Sequence, residues 1–357
     1  MSLIDWDSEM AQSFSYYEVS PATWQIVRRL PEIVSAELTF DADDSLRASA
    51  TFEARQDVGE SIIRAVMTAR QGREVHTAVL GTFLAQTVSR TRGSTGPSWS
   101  VDAYSPLLEL ADDSPPLGYY VPKGANVLAS VCDLAVEHCR APMVRAEGSA
   151  VLAEAFVASP EETWLDLIEG LAARASRTLG VDPLGRIVLM PARASSAMRP
   201  VCALGASGHR IMRPDMTDER DLFGVPTSVQ LVWSGPGGAS LSATAHNDNP
   251  DSSTSRKARG RTILLRETDV DLPETMSLGD ASLALSRMAS DRLAEEGCLE
   301  HSVSYERGYL PNVGVGSCVY IEDEALGVAS RAVVSKQTIS CQTGCKVAET
   351  AKYTEVA

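Results

Sequence analysis

The sequence predicts an α+β, β-rich chain: two antiparallel β regions, an α/β region between them, and a helix inserted in the second. Three observations carry this. Period-two alternation fills the first hundred residues, 3.6-residue stripes replace it near Pro106, and alternation returns from Val225. At 357 residues, and roughly 150 per domain, two or three domains are expected. That length buries a sizeable core without a metal or disulfide staple.

The first region is read as residues 1–105. Val34, Ala36, Leu38 and Phe40 alternate with polar neighbours, as do Leu46, Ala48, Ala50, Phe52 and Ala54. Asp41 to Ser45 is a turn cluster between them. Ser61–Ala69, His76–Ser89 and Ser98–Tyr104 are further strands, with a flexible loop at Gly93–Pro97. Five or more short antiparallel strands in such a length predict a barrel or sandwich.

The second region is read as residues 106–200. Asp112 to Pro116 is linker-like, and a helix is expected over about Ala125–Cys139. Ser159-Pro160-Glu161-Glu162 has the form of a capping box with proline at the first helical position. The apolar stripe from Trp164 to Ala175 then predicts a helix over Glu161–Leu179, stopped at Gly180. Its Trp164 and Ile168 face is expected on a strand layer with Ile187 and Leu189, entered through a turn at Asp182–Gly185.

The third region is read as residues 201–357. Thr227–Trp233 and Ser240–His246 flank the turn signal Gly235-Pro236-Gly237-Gly238. Asn247–Gly260 is polar and Ser-rich, the composition of an exposed loop. A helical insert spans 277–297: Ser277 caps it, Asp280 sits at N3, and Leu283, Leu285, Met288, Ala289 and Leu293 lie near one face. Strands follow at Leu299–Tyr305, Ser317–Glu322, Val328–Ser340 and Lys346–Val356.

Charge and chemistry narrow the function. Lys plus Arg is 32 and Asp plus Glu is 47, so the net charge is −15. A chain this acidic is a poor match for nucleic-acid wrapping or anionic membranes. No apolar run approaches the roughly 20 residues of a membrane span, and Asp5, Asp7 and Glu9 mark a start unlike a secretory signal. Synthesis and folding in a cytoplasm, with seven reduced cysteines, are expected. No Walker loop, zinc helix or nucleophile elbow occurs. Cys341-Gln342-Thr343-Gly344-Cys345 lacks a second ligand pair and reads as a hairpin turn with two nearby thiols. His138-Cys139 reads as a structural helix end. His76, His138, His209, His246 and His301 lie far apart and outside any triad-like motif. No catalytic, cofactor-binding or metal-binding residue is assigned.

Several strings carry a family resemblance. Trp99-Ser100-Val101-Asp102-Ala103-Tyr104-Ser105-Pro106-Leu107-Leu108 resembles the passage from the first tube-like barrel into the α/β insert of phage tail-tip hub proteins. Ser159–Leu184, a Trp-bearing helix followed by an Asp-x-x-Gly hairpin, resembles their next part. Gly308-Tyr309-Leu310-Pro311 with Val313–Tyr320, then Val333–Ile339 and Cys341–Tyr353, resemble their late strands. The family is the trimeric baseplate hub of tailed phages and related contractile machines, including the hub part of siphophage tail-associated lysins. Ser317 departs from it, standing where related hubs often carry an acid.

The resemblance implies two tail-tube-like β-barrel domains, 1–105 and 201–357, around an α/β domain at 106–200. It implies a homotrimer presenting six similar units to a hexameric tail tube, within a virion tail tip. Implied neighbours are the distal tail ring protein, the tail tube protein, the tape measure protein, and fibre or tip proteins. DNA would pass through without specific binding, and the chain would not insert in a membrane. The sequence runs out at Ala357, after the last strand, so peptidoglycan cleavage is not expected and no enzyme is read. Two other readings stay open. One is a tail-associated cell-wall hydrolase; the other is a soluble β-rich binding protein using Asn247–Gly260 for recognition.

Overall fold

The computed structural model describes residues 4–93, 96–191, 197–205, 208–209, 215–234, 240–268, 270, 272–273 and 276–355. The chain forms two compact units, Met1–Met216 with Ser304–Ala351, and Thr217–Val303 with Lys352–Ala357.

The first unit opens with β1 (Ala11–Val19), β2 (Ile26–Arg29), β3 (Ile33–Asp41), β4 (Ala48–Ala54), β5 (Ile62–Gln71), β6 (Glu74–Gly93) and β7 (Gly96–Tyr104). They lie side by side in the order β3-β4-β7-β6-β5-β1-β2. Alternation decides the buried face: Ala48, Ala50, Phe52 and Ala54 of β4 point inward. In β3 a bulge between Ile33 and Ser35 turns Val34 outward, while Ala36 and Leu38 stay buried. β5 is covered on both sides. Ile63, Ala65, Met67 and Ala69 join one core with Phe52 and Phe83, and Ile62 joins a second core on the opposite face.

That second core belongs to the middle of the chain: α1 (Leu108–Ala111), β8 (Tyr120–Val121), α2 (Val127–His138), β9 (Phe156–Val157), α3 (Trp164–Arg174), β10 (Arg177–Val181) and β11 (Ile187–Pro191). Asn126 caps α2, its side chain accepting from the Ala129 amide at 3.0 Å. The Trp164 and Ile168 face of α3 packs with Ile187 and Leu189, as the stripe predicts. Both ends of this helix need correction. Its capping box is Thr163 with Asp166, one turn after the Ser159 signal. The Ser159 amide still donates to Glu162, at 2.9 Å, but in an isolated turn. The helix ends at Arg174, and Ser176 takes a left-handed φ of 53°. Leu179 and Gly180 therefore lie in β10, paired with Leu189 and Val188.

The strand β12 (Cys202–Gly205) ends this stretch. The second unit then holds β13 (Thr217–Arg220), β14 (Ser228–Ser234), β15 (Ser240–His246), α4 (Arg256–Arg259), β16 (Leu264–Glu267) and α5 (Leu278–Glu296). β14 pairs antiparallel with β15, and the expected Gly235–Gly238 turn between them lies outside the described residues. β16 joins β14 in parallel. α5 starts at its Ser277 cap as expected and sets Ala281, Leu285, Ala289 and Leu293 against Val229, Leu231 and Trp233. Leu283 and Met288 face away and are exposed, because they fall well round the helix from that four-residue stripe.

The chain ends in β17 (Leu299–Gly308), β18 (Cys318–Asp323), β19 (Val328–Ser340) and β20 (Lys346–Glu355). The division into units falls within β17 and β20. β19 pairs with β18 through its first half and with β3 through Lys336–Ser340. The first and last β regions thus share one large sheet, joined by the antiparallel β19–β3 pair, with β12 added in parallel to β18. The pair of barrels expected from the resemblance is absent in closed form: the strand order runs from β13 to β2 without closure among the described residues.

Candidate assembly site

Two arginine clamps hold the α/β region to the sheet of the first unit. The Asp182–Gly185 turn presents backbone carbonyls: Leu184 O accepts from Trp24 Nε1 at 2.8 Å and from Arg64 at 3.0 Å, and Pro183 O from Thr82 at 3.0 Å. Arg64 also donates to Thr82 Oγ1, at 3.0 Å. Gly185 closes the turn at φ +75°, and a Cβ there would meet Thr82 Cβ at 2.9 Å. Arg47 is the second clamp. It pairs with Glu169 of α3 and donates to Leu179 O at 3.2 Å.

A third arginine is buried. Arg307 makes a bidentate pair with Glu349, one arm at 2.8 Å, and donates to Gly308 O at 2.7 Å. Gln337 completes the group, donating to Glu349 at 2.7 Å and to Val313 O at 3.0 Å. Burial, then the adjacent Glu349 charge, pushes the Tyr305 phenol well up. The signal was present in the sequence. In Leu299-x-His301-x-Val303-x-Tyr305-x-Arg307 the arginine sits on the apolar face, and Glu349 does so between Val347 and Ala351.

The five histidines are scattered. His301 is buried, with Nδ1 at 3.0 Å from Asp218 Oδ1 and 2.8 Å from the Tyr353 hydroxyl. His246 Nδ1 meets Ser228 Oγ at 2.7 Å, and His209 Nδ1 meets Asp7 Oδ2 at 2.6 Å. His138 stacks on Trp164 at 3.7 Å, while Trp164 Nε1 donates to Asp113 at 3.1 Å. His76 packs edge-on against Trp6. Among the described residues no cluster of His, Cys, Asp and Glu could hold a metal, and no helix is long and apolar enough to cross a membrane. Burial raises the Cys139 and Cys345 thiols to about 12, and Cys341 still further. Thiols held so strongly in the neutral form are weak nucleophiles.

The Asn247–Gly260 segment is not the open loop its composition predicts. Asn247, Ser252, Thr254 and Ser255 are buried. Asn247 Nδ2 donates to both Ser252 and Thr254 at 3.0 Å, and Thr254 donates to Gly297 O at 2.7 Å. Polar groups that satisfy one another can be buried at little cost. Lys257 and, just beyond the segment, Arg261 are exposed, while Arg256 and Arg259 are half-buried. Arg256, Lys257, Arg259 and Arg261 stand within six residues, and Arg259 donates to Leu222 O at 3.1 Å.

Beside that carbonyl, Phe223 is 93% exposed. In the first unit an open cleft of about 480 Å³ is lined by Trp6, Met10, Tyr309 and Leu310, with Asp7 and Glu9 among the polar groups. The cleft is open to solvent rather than an enclosed substrate pocket.

Solved structures with this fold include two tail proteins and a chain of a Francisella complex. The chain is similar to a tail protein from Neisseria meningitidis MC58 (TM-score 0.65, 16% identity, covering 96% of each chain). It is equally similar to the 43 kDa tail protein of prophage MuSo2 from Shewanella oneidensis (TM-score 0.65, 11% identity, covering 96% of this chain and 98% of that one). A chain of the Francisella PdpA–VgrG complex matches 98% of this chain over 53% of its own length, at TM-score 0.57 and 7% identity. No family model matches the sequence, and no curated protein matches it. The chain therefore shares the fold of these two tail proteins over 96% of its length.

Proposed function

We propose that this chain is a structural subunit of a phage tail tip or baseplate, the hub that caps the tail tube as a homotrimer. The observation that carries the reading is whole-length fold likeness to two tail proteins, with 96% or more of each chain covered. In this reading residues 1–105 and 201–357 of each subunit act as two tube-like modules, with 106–200 between them. Three subunits then set six modules around a channel matched to a hexameric tube. The neighbours are the tail tube, distal tail ring, tape measure and fibre or tip proteins. The −15 charge supports passage of DNA without trapping it, since like charges do not hold. A structural rather than catalytic role is supported by the inert buried thiols and by histidines whose partners are Asp218 with Tyr353, Ser228 or Asp7.

The experiment is electron microscopy of particles carrying a tag on this chain, beside particles from a deletion. The expected outcome is tip density with threefold symmetry that disappears, or tails that fail to form, in the deletion. Label on the capsid, or intact infectious tails without the chain, would end the reading. Clearing of purified cell walls by the isolated chain would favour the hydrolase instead.

A further inference from the structure

The cationic segment 256–261 and the exposed Phe223 form one feature in the second unit. Phe223 is held outward by its surroundings. Its amide donates to Asp221 Oδ1 at 2.7 Å, and Gly224 turns the chain at φ +76°. The preceding carbonyl, Leu222 O, is fixed by Arg259. Leu222 itself is 37% exposed, so two adjacent apolar side chains stand in water. Around them, Arg256 is neutralised by Asp248 at 2.7 and 2.8 Å. Lys257 and Arg261 are exposed and meet no acid among the described residues. A rigid apolar tip with free cations, on a chain of net charge −15, is built to meet an acidic surface with an aromatic recess.

The same chain carries such a recess. Trp6 and Tyr309 meet edge to face at 5.7 Å in the wall of the cleft. Met10 and Leu310 add apolar surface, Glu9 adds an exposed acid, and Asp7 is paired there with His209. The cleft, about 480 Å³, has room for a phenyl ring and its neighbouring leucine. Aromatic rings in edge-to-face contact would accept a third ring in the same geometry.

We propose that the Phe223 tip and its cations on one copy seat in the Trp6–Tyr309 cleft of a second copy. The inference rests on the reading of the chain as a ring of identical subunits. The cleft of another copy offers both halves of the match: the Trp6–Tyr309 pair to the ring, and the exposed Glu9 to Lys257 and Arg261. Two different patches meeting in this way make a head-to-tail contact, which closes into a ring when the rotation permits.

The test uses the full chain. With benzoylphenylalanine in place of Phe223, irradiation should cross-link the residue to peptides containing Trp6–Met10 or Tyr309–Leu310 of a second copy. In sedimentation, F223A should weaken self-association about tenfold or more, and so should K257E/R261E. Adding Glu9→Lys to the latter should restore part of the loss, and raising salt should weaken the wild-type contact through screening. Cross-links to other segments, association unchanged in F223A, or a wild-type chain that never self-associates would overturn the inference. A trimer that survives F223A removes this contact and leaves the hub reading standing. Knob-dependent chains in solution, with the protein absent from tail tips, remove the hub reading and leave the contact.

Discussion

Arg307 and Glu349 are almost wholly buried, and each neutralises the other. Removing one alone strands a charge in the core. Arg307→Met should therefore cost about 3–5 kcal/mol in chemical denaturation, while Arg307→Met with Glu349→Leu should recover much of that loss. Equal losses in the single and double variants would show that packing, not charge, matters at the site. The buried thiols make a pH prediction. Folding raises Cys139 and Cys345 from 9.0 to about 12, burial being the largest cause in both. The folded state thus holds protons that the unfolded state releases above pH 9. Stability from these groups is complete below pH 9 and should fall between pH 9 and 12, by up to about 1.4 kcal/mol per unit for each thiol. Urea titrations across that range should show the decline, and a flat profile to pH 12 would contradict it. At pH 8, thiol reagents should label both cysteines far more slowly in the native chain than in denaturant.

Elements were legible wherever a local signal had no competitor. Ser277 with Asp280, and the alternation of β4 and β19, are of that kind. The start of α3 was not, because Ser159–Glu162 and Thr163–Asp166 present the same cap chemistry four residues apart. Only the packing of Trp164 at the first helical position, with its indole donating to Asp113, selects the second box. The end of α3 was hidden by Leu179, which continues the helical stripe but pairs in β10. The Asn247–Gly260 segment misled through composition: its buried polar groups satisfy each other, which no count of serines reveals. Net charge likewise concealed the cations at 256–261. Two substitutions test the packing. Trp164→Ala should cost about 3–5 kcal/mol, and Trp164→Phe only about 1–2, because the ring packing survives and mainly the hydrogen bond is lost. Gly185→Ala should destabilise by about 1 kcal/mol or more, since its positive φ and the Thr82 contact both oppose a Cβ. Thermal or denaturant midpoints unchanged from wild type would refute either argument.

At the scale of the molecule, the organising contact is β3 against β19. It was invisible in the sequence because nothing local says which of many alternating segments become neighbours. Ile339, Cys341, Cys345 and Val347 complete the core built on β3, β4 and β5. A fragment of residues 1–216 should therefore be poorly soluble, and co-expression with 217–357 should raise its soluble yield. A monomeric fragment with native-like near-ultraviolet circular dichroism would show that the early strands need no partner.

The same pairing sets a schedule for synthesis. Asp41 waits for Lys336, a gap of 336 − 41 = 295 residues. At about 5–20 residues per second, the ribosome takes roughly 15–60 s to deliver the missing strand. Throughout that interval the nascent chain presents an unpaired β3 edge, with apolar side chains beside it. Polysomes translating this message crowd such edges together. Translation speed and holdase supply, rather than final stability, then govern how much usable protein a cell obtains.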